Sequence, residues 1–154
     1  MTPPSLPRIA VGADHAGVDL KDHLAAWLAE RGHPVVDKGT CGHGSCHYPE
    51  FAFAVAQAVA GGEADLGVLV CGTGQGMAMA ANRVPDIRAG VVMDTFSAAA
   101  IREHNDARVI CMGARVIGPG LAEACLEAFL GASFLGGRHQ LRVDLMRAAE
   151  RGEG

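Results

Sequence analysis

The chain has 154 residues and is 49% hydrophobic, which is enough for one compact domain with a substantial core but too short to indicate two domains. Its formal charge of −4 and its 5% of aromatic residues exclude the basic, aromatic-rich surface of a nucleic-acid-binding protein. Its apolar runs are also shorter than the ~18 residues that a membrane helix needs, so we expect neither nucleic acid nor membrane as a partner.

The first eight residues, MTPPSLPR, contain three prolines and no apolar segment. They are unlike a secretory signal, so we expect a loose or disordered tail at 1–7 and a single domain over 8–150. Five cysteines without an export signal indicate free thiols, and the protein is therefore expected to be cytoplasmic.

Short apolar runs alternate with segments of helical spacing along the rest of the chain. The runs predict five strands, at 8–13, 33–38, 66–71, 88–93 and 108–113. A first helix contains Leu20, Leu24, Trp27 and Leu28 and ends at Gly32; a second begins near Pro49 and ends at Gly61 and Gly62; four more are expected at 75–83, 95–104, 119–131 and about 139–150. This alternation predicts a three-layer α/β/α, Rossmann-like fold with a five-stranded parallel sheet.

The helix predicted at 95–104 carries the apolar residues Phe96, Ala99 and Ala100, which we expect to face the core. His104 and Asn105 would then lie in the loop that follows. A histidine in such a place is ordinarily a solvated surface residue, and the sequence leaves that interpretation open.

Residues that could carry chemistry follow directly after the predicted strands. In open parallel sheets, ligands bind outside the carboxyl ends of the strands, where these side chains would share one edge. They are Asp14 and His15 after the first strand, Cys71 after the third, Asp94 after the fourth and Arg115 after the fifth. Taken singly, Asp14 could be a helix cap and Cys71 an inert core residue.

The loop CGTGQG, residues 71–76, has glycines at positions 72, 74 and 76, which let several backbone N–H groups converge on one anion. Three known phosphate loops do not fit it. A P-loop needs Lys-Ser/Thr after the last glycine, a dinucleotide fingerprint needs a wider third spacing, and a cysteine phosphatase needs arginine where Met77 stands. The remaining interpretation is that N–H groups favour a Cys71 thiolate, which removes a proton next to a carbonyl while the loop stabilises the enediolate.

Arg138 and Arg142 lie four residues apart on the last predicted helix, where like charges repel by roughly 0.2 to 0.5 kcal/mol. A bound phosphate would compensate this repulsion. Two solvated arginines on an exposed face are the alternative.

Taken together, these motifs resemble the type B ribose-5-phosphate isomerases and the related galactose-6-phosphate isomerase subunits, from Arg8 to about Ala149. The matching stretches are IAVGADHAG, VVDKGT, YPEFA, CGTGQGMAMAANR, RAGVV, REHNDARVICMGARVIG and GGRHQLRV. The resemblance implies aldose–ketose isomerisation of a phosphorylated sugar through a cis-enediolate, without a metal or an organic cofactor.

The resemblance also assigns a role to each matching residue. The implied base is Cys71, and the implied oxyanion donors are Thr73 and the N–H groups around Gly72, Gly74 and Gly76. Opening of the furanose is implied for His104 and Asp14, and positioning of hydroxyls for Asn105 and Tyr48. The implied phosphate ligands are His15, Arg115, Arg138 and Arg142. It further implies a homodimer, with a tetramer left open, in which the C-terminal helix packs on the partner subunit and the two subunits share each site.

The stretch GTCGHGSCHYPEF, residues 39–51, departs from the family, whose members usually have acidic residues there. Cys41, His43, Cys46 and His47 are zinc-ligand types, but their spacing is too compressed for the usual structural site, so a flexible loop without metal is expected. The departure leaves ribose 5-phosphate as the expected substrate and four- or six-carbon sugar phosphates as alternatives. A non-catalytic sugar-phosphate-binding subunit is a further alternative.

Overall fold

The computed structural model describes residues 2–40 and 42–153. In this part of the chain the strands are β1 Ile9–Ala13, β2 Val35–Asp37, β3 Leu66–Cys71, β4 Ala89–Val91 and β5 Val109–Gly113. The helices are α1 Val18–Glu30, α2 Tyr48–Ala60, α3 Gln75–Ala81, α4 Thr95–Glu103, α5 Pro119–Gly131 and α6 Arg138–Glu150. Each predicted strand and helix is present, so this part of the prediction is confirmed.

The five strands form one parallel sheet in the order β2-β1-β3-β5-β4, between two layers of helices. Alternate residues of β3 point to opposite faces: Val68 and Val70 pack with α1, α4 and α5, whereas Leu69 and Cys71 pack with α2 and α3. Burial on both faces explains why the central strands are apolar without interruption, and it confirms the predicted α/β/α class.

The order of the strands places a crevice at the carboxyl ends of β1 and β3. From β1 the chain crosses to β2 on one side of this pair of strands, and from β3 it crosses to β4 on the other side. The loops after β1 and β3 therefore leave the sheet in opposite directions and open a crevice between them. Asp14 and Cys71 lie at its two sides.

Phe96 and residues 2–8 both lie outside the buried core. For Phe96 this contradicts the prediction: its side chain is 79% exposed, and α4 instead buries Ala98, two residues along and on the other side of the helix.

Residues 2–8 have no regular secondary structure, although the Pro7 carbonyl lies 3.0 Å from Nδ1 of His33. Among the described residues, none of the helices has the length and apolar character needed to cross a membrane.

Candidate active site

Cys71 is the last residue of β3, and its side chain is 5% exposed at the crevice. Its Sγ accepts a hydrogen bond from the backbone N–H of Gly74 at 3.1 Å. Gly74 has a φ of 84°, and a Cβ there would lie 3.1 Å from the backbone of Met112. Only glycine therefore lets the chain turn back so that this N–H group points at the sulfur.

The loop after Cys71 is fastened to the end of β5. The N–H of Ala114 donates to the Cys71 carbonyl at 2.8 Å, and the N–H of Arg115 donates to the Gly72 carbonyl at 3.0 Å. The Arg115 guanidinium lies over this loop, since a Cβ on Gly72 would be 3.4 Å from its Nη1. The Thr73 Oγ1 accepts from the N–H of Gln75 at 3.3 Å, which braces the same turn.

Tyr48 covers the far end of the loop. It is the first residue of α2 and is 40% exposed, and a Cβ on Gly76 would lie 2.6 Å from its ring. Gly76 is thus small because a tyrosine ring packs directly against its backbone. Tyr48 therefore lies beside the Cys71 loop.

Asp14 and His15 form the other side of the crevice. The N–H of Asp14 donates to the Val70 carbonyl at 3.3 Å, and its buried carboxylate accepts from the N–H groups of Ala16 and Gly17 at 3.0 and 3.1 Å. Asp14 therefore caps the turn into α1, which is the structural role that the sequence left open. His15 is half-buried beside it.

Asp94, at the end of the fourth predicted strand, also acts as a cap. Its side chain accepts from the N–H of Ser97 at 2.6 Å and from the Ser97 hydroxyl at 2.9 Å. These hydrogen bonds hold the pKa of the Asp94 carboxyl below its ordinary value. The residue therefore stabilises the start of α4.

The buried Cys111 provides a contrast with Cys71. Cys111 is fully buried on β5, two residues before the end of the strand, and burial followed by the nearby Cys71 raises its pKa far above the usual range. A thiol in that position is inert. Of the two strand cysteines, only Cys71 reaches the loop at the crevice.

His104 and Asn105 lie at the opposite edge of the sheet. His104 caps the end of α4, and the carbonyl of Asn105 accepts from Nε of Arg88, the residue before β4. The pairing of β3 with β5 extends four residue steps from Gly67 to Cys71, which is about 13 Å of strand. Within one chain, the structure therefore does not bring His104 or Asn105 to Cys71, nor His104 to Asp14.

Arg138 and Arg142 lie near His104 and not near Cys71. They begin α6, whose first turn contacts the end of α4 through His139 and His104. Both arginines are exposed, and neither takes part in an ion pair within 2–40 and 42–153. The contact with His139 was not predicted, because it depends on how α4 and α6 meet in the fold.

Comparison with known proteins decides the family. Residues 9–146 match the ribose/galactose isomerase family. The chain belongs to this family. It is 48% identical to ribose-5-phosphate isomerase B of Escherichia coli strain K12, over 94% of this chain and 97% of the relative. It is 43% identical to D-erythrulose-4-phosphate isomerase of Pectobacterium atrosepticum, over 88% and 90% of the two chains.

Solved structures agree with this assignment. Ribose-5-phosphate isomerase B of Clostridium thermocellum superposes with a TM-score of 0.93 at 45% identity, over 94% of this chain and 98% of that one. As a member of the ribose/galactose isomerase family, the protein is an aldose–ketose isomerase of a sugar phosphate.

The loop before α2, at residues 42–47, lies against the segment after β1. Nε2 of His43 is 2.7 Å from a carboxylate oxygen of Asp19, and the N–H of Cys46 lies 3.4 Å from Nδ1 of His15. Cys41 lies outside the described residues. Within those residues, no three histidine, cysteine or acidic side chains are grouped so that they could hold a metal ion.

Proposed function

We propose that this isomerase interconverts ribose 5-phosphate and ribulose 5-phosphate, with Cys71 as the base. The observation that carries the proposal is the position of the Cys71 sulfur, at the end of β3 and within hydrogen-bond distance of a loop amide. The 48% identity to a ribose-5-phosphate isomerase B over almost the whole chain supports this substrate.

The chemistry needs one group that carries a proton between two neighbouring carbons. The Cys71 thiolate removes the proton from C2 of the open-chain aldose, and the electron pair of that bond moves into a C1–C2 double bond while O1 takes the charge. The backbone N–H groups of the loop and Thr73 hold this oxyanion. The Cys71 thiol then returns the proton to C1, and a hydroxyl proton moves from O2 to O1 to give the ketose.

Groups on the same edge of the sheet supply part of the binding site. Arg115 over the loop and His15 beside it bind the phosphate, and Tyr48 positions a sugar hydroxyl. Asp14 takes part in opening the furanose ring. These roles agree with the exposure of Arg115 and Tyr48 at the crevice.

The remaining groups come from a second copy of the chain. His104, Asn105, Arg138 and Arg142 lie at the amino edge of the sheet, so they reach a Cys71 crevice only if the crevice belongs to a partner. Exposed apolar side chains are present at both places that such a dimer would bury. They are Met79 on α3, with Met93 and Phe96 around the start of α4, and Leu141, Leu145 and Met146 on α6.

The test is isomerisation in heavy water. With ribose 5-phosphate we expect ketose formation and deuterium at the reacting carbons, and Cys71→Ala should lower kcat by about 10² to 10⁴-fold while phosphate affinity is kept. Cys125→Ala is the control, because Cys125 is buried on α5 and away from the crevice. A Cys71→Ala variant with most of its activity would show that another group is the base.

The substrate is decided by a panel of four-, five- and six-carbon aldose phosphates compared by kcat/KM. The relative that is named a D-erythrulose-4-phosphate isomerase, together with the unusual loop at 39–51, makes a four-carbon sugar the second candidate. A higher kcat/KM for the four-carbon substrate would replace ribose 5-phosphate in the proposal. Binding without turnover on every member would instead favour a non-catalytic subunit.

A further inference from the structure

The ring of His104 lies flat against the ring of His139. Their centroids are 4.5 Å apart and the planes differ by 14°. His104 ends α4, whereas His139 is the second residue of α6. His139 is the more buried of the two, with 8% of its surface exposed.

The segment between α5 and α6 places the start of α6 against the end of α4. The N–H of Leu135 donates to the carbonyl of Glu103 at 3.0 Å, which ties the segment to the residue before His104. Gly136 and Gly137 follow with φ angles of 67° and 56°, so the chain turns sharply just before α6 begins. No atom lies within 4 Å of a Cβ on either glycine, so the backbone conformation and not the space requires them.

The contact of His139 with His104 is made by the ring faces and leaves the nitrogens of His104 unused. Among the described residues, no hydrogen bond reaches the His104 ring, although its backbone N–H donates to Ala100 at 2.8 Å. A hydrogen-bonded partner would occupy one ring nitrogen, whereas a stacked partner touches only the face of the ring. Both nitrogens of His104 are thus left for proton transfer.

The surroundings of His139 favour its neutral form, which suits this role. Burial lowers the pKa of His139, and repulsion from a protonated His104 and from Arg138 and Arg142 lowers it further. A neutral imidazole presents a flat aromatic face that accommodates both the neutral and the protonated form of the ring above it. A charged His139 would instead repel the protonated form.

We propose that His139 is a positioning residue for the ring-opening step, in which it holds the His104 imidazole at the angle needed to move a proton of the furanose. This inference rests on the proposed function, because ring opening is needed only if the substrate is a cyclic aldose phosphate. It assigns a role to a histidine that lies between two arginines proposed to bind phosphate.

The test uses the difference between the two substrates of the proposed reaction. Ribose 5-phosphate is mainly a furanose and must be opened. Ribulose 5-phosphate is acyclic, because the hydroxyl that would close a five-membered ring carries the phosphate. Deuterium exchange into C1 of the ketose therefore reports proton abstraction by Cys71 alone, whereas isomerisation of the aldose reports ring opening as well.

Two variants distinguish a need for a flat aromatic ring at position 139 from a need for any buried side chain there. His139→Leu keeps an apolar side chain without a flat ring, and His139→Phe restores the flat ring without its nitrogens. We expect His139→Leu to lower kcat for ribose 5-phosphate about 10-fold or more, while exchange into ribulose 5-phosphate stays within about twofold. His139→Phe should recover most of the lost kcat. His23→Leu, at an exposed histidine on α1, is the matched control.

Several results would overturn the proposal. One is an unchanged kcat in His139→Leu, and another is an equal loss of isomerisation and of deuterium exchange in that variant. A third is a His139→Phe variant that is as slow as His139→Leu at the same oligomeric state. NMR of the unsubstituted protein gives an independent answer, since stacked rings shift each other's proton resonances upfield. No such shift at His104 would exclude the stacked geometry itself. If the unsubstituted protein bound ribose 5-phosphate without isomerising it, the proposed function would fail while the stack could still be observed.

Discussion

Cys71 and Cys111 are both buried cysteines on neighbouring strands, yet they differ in their distance from the end of the strand. After Cys111 the strand β5 continues for two more residues. Cys71 is instead followed at once by a glycine-rich turn, in which the N–H group of Gly74 points back at the Cys71 sulfur. The chemistry of a cysteine in this sheet therefore depends on its position along the strand.

The positions of residues at the carboxyl edge could be predicted from the sequence, but the contacts at the amino edge could not. Asp14, Cys71 and Arg115 follow strands, and the rule for parallel sheets was sufficient to group them. The stacking of His139 on His104 joins the ends of two helices, and no local pattern encodes how these helices meet.

At the residue scale, we first expect Arg142→Ala to raise KM about 10- to 100-fold with little change in kcat. The substitution removes the proposed charge-assisted hydrogen bond to the phosphate, which would be equally present in ground and transition states. Arg151→Ala is the control, since it removes a like charge just past the end of α6, where Arg151 pairs with Glu153. Steady-state kinetics of the two variants provide the measurement. An unchanged KM in Arg142→Ala would mean that phosphate does not bind at α6.

A second residue-scale prediction concerns acid stability. His139 has a lowered pKa in the folded protein, whereas a histidine in the unfolded chain titrates near about 6.5. Below that pH the unfolded chain binds the proton more readily, so folding stability should fall as the pH decreases from about 7.5 to about 5.5. The urea midpoint of His139→Phe should fall less over this range, at equal protein concentration. Equal losses in both proteins would show that His139 does not contribute.

At the element scale, the strands and helices were predicted with small errors at their ends, because glycine and proline mark most boundaries. The orientation of α4 was predicted wrongly. The sequence places Phe96 at helical spacing with Ala99 and Ala100, yet α4 packs on the sheet and α5 through Ala98. Close packing against α5 favours a small side chain, and the larger phenyl ring is left at the surface.

The start of α6 gives a prediction at the same scale. Gly137 and Gly118 both precede 13-residue helices, and both have open space where a Cβ would be, but Gly137 has a φ of 56° and Gly118 a φ of −84°. We expect Gly137→Ala to lower the free energy of unfolding by about 1 to 3 kcal/mol more than Gly118→Ala does, because only Gly137 needs a left-handed backbone. Urea unfolding of both variants measures the difference. Equal losses would argue against a strained turn before α6.

At the scale of the whole molecule, the residues of the proposed site lie at opposite edges of the sheet. Cys71, the proposed base, and its glycine-rich loop lie at one edge, and His104 with the arginines of α6 lies at the other. An isologous dimer would pair the residues at each edge with the complementary residues of the partner and so form two complete sites. The separation along the sheet explains why these residues do not meet within one chain.

Mixing two inactive variants tests this arrangement directly. Cys71→Ala removes the base from one half of the site, and Arg142→Ala combined with His104→Ala disables the other half. The two proteins are unfolded together and refolded at equal concentrations. Half of the dimers then contain one copy of each variant. Each of these mixed dimers has one intact site and one doubly defective site. The mixture should therefore regain about one quarter of the unsubstituted activity, although each variant alone stays inactive. Activity that stays at the level of the separate variants, in a mixture shown to contain mixed dimers, would place all three groups in one chain and contradict the shared site.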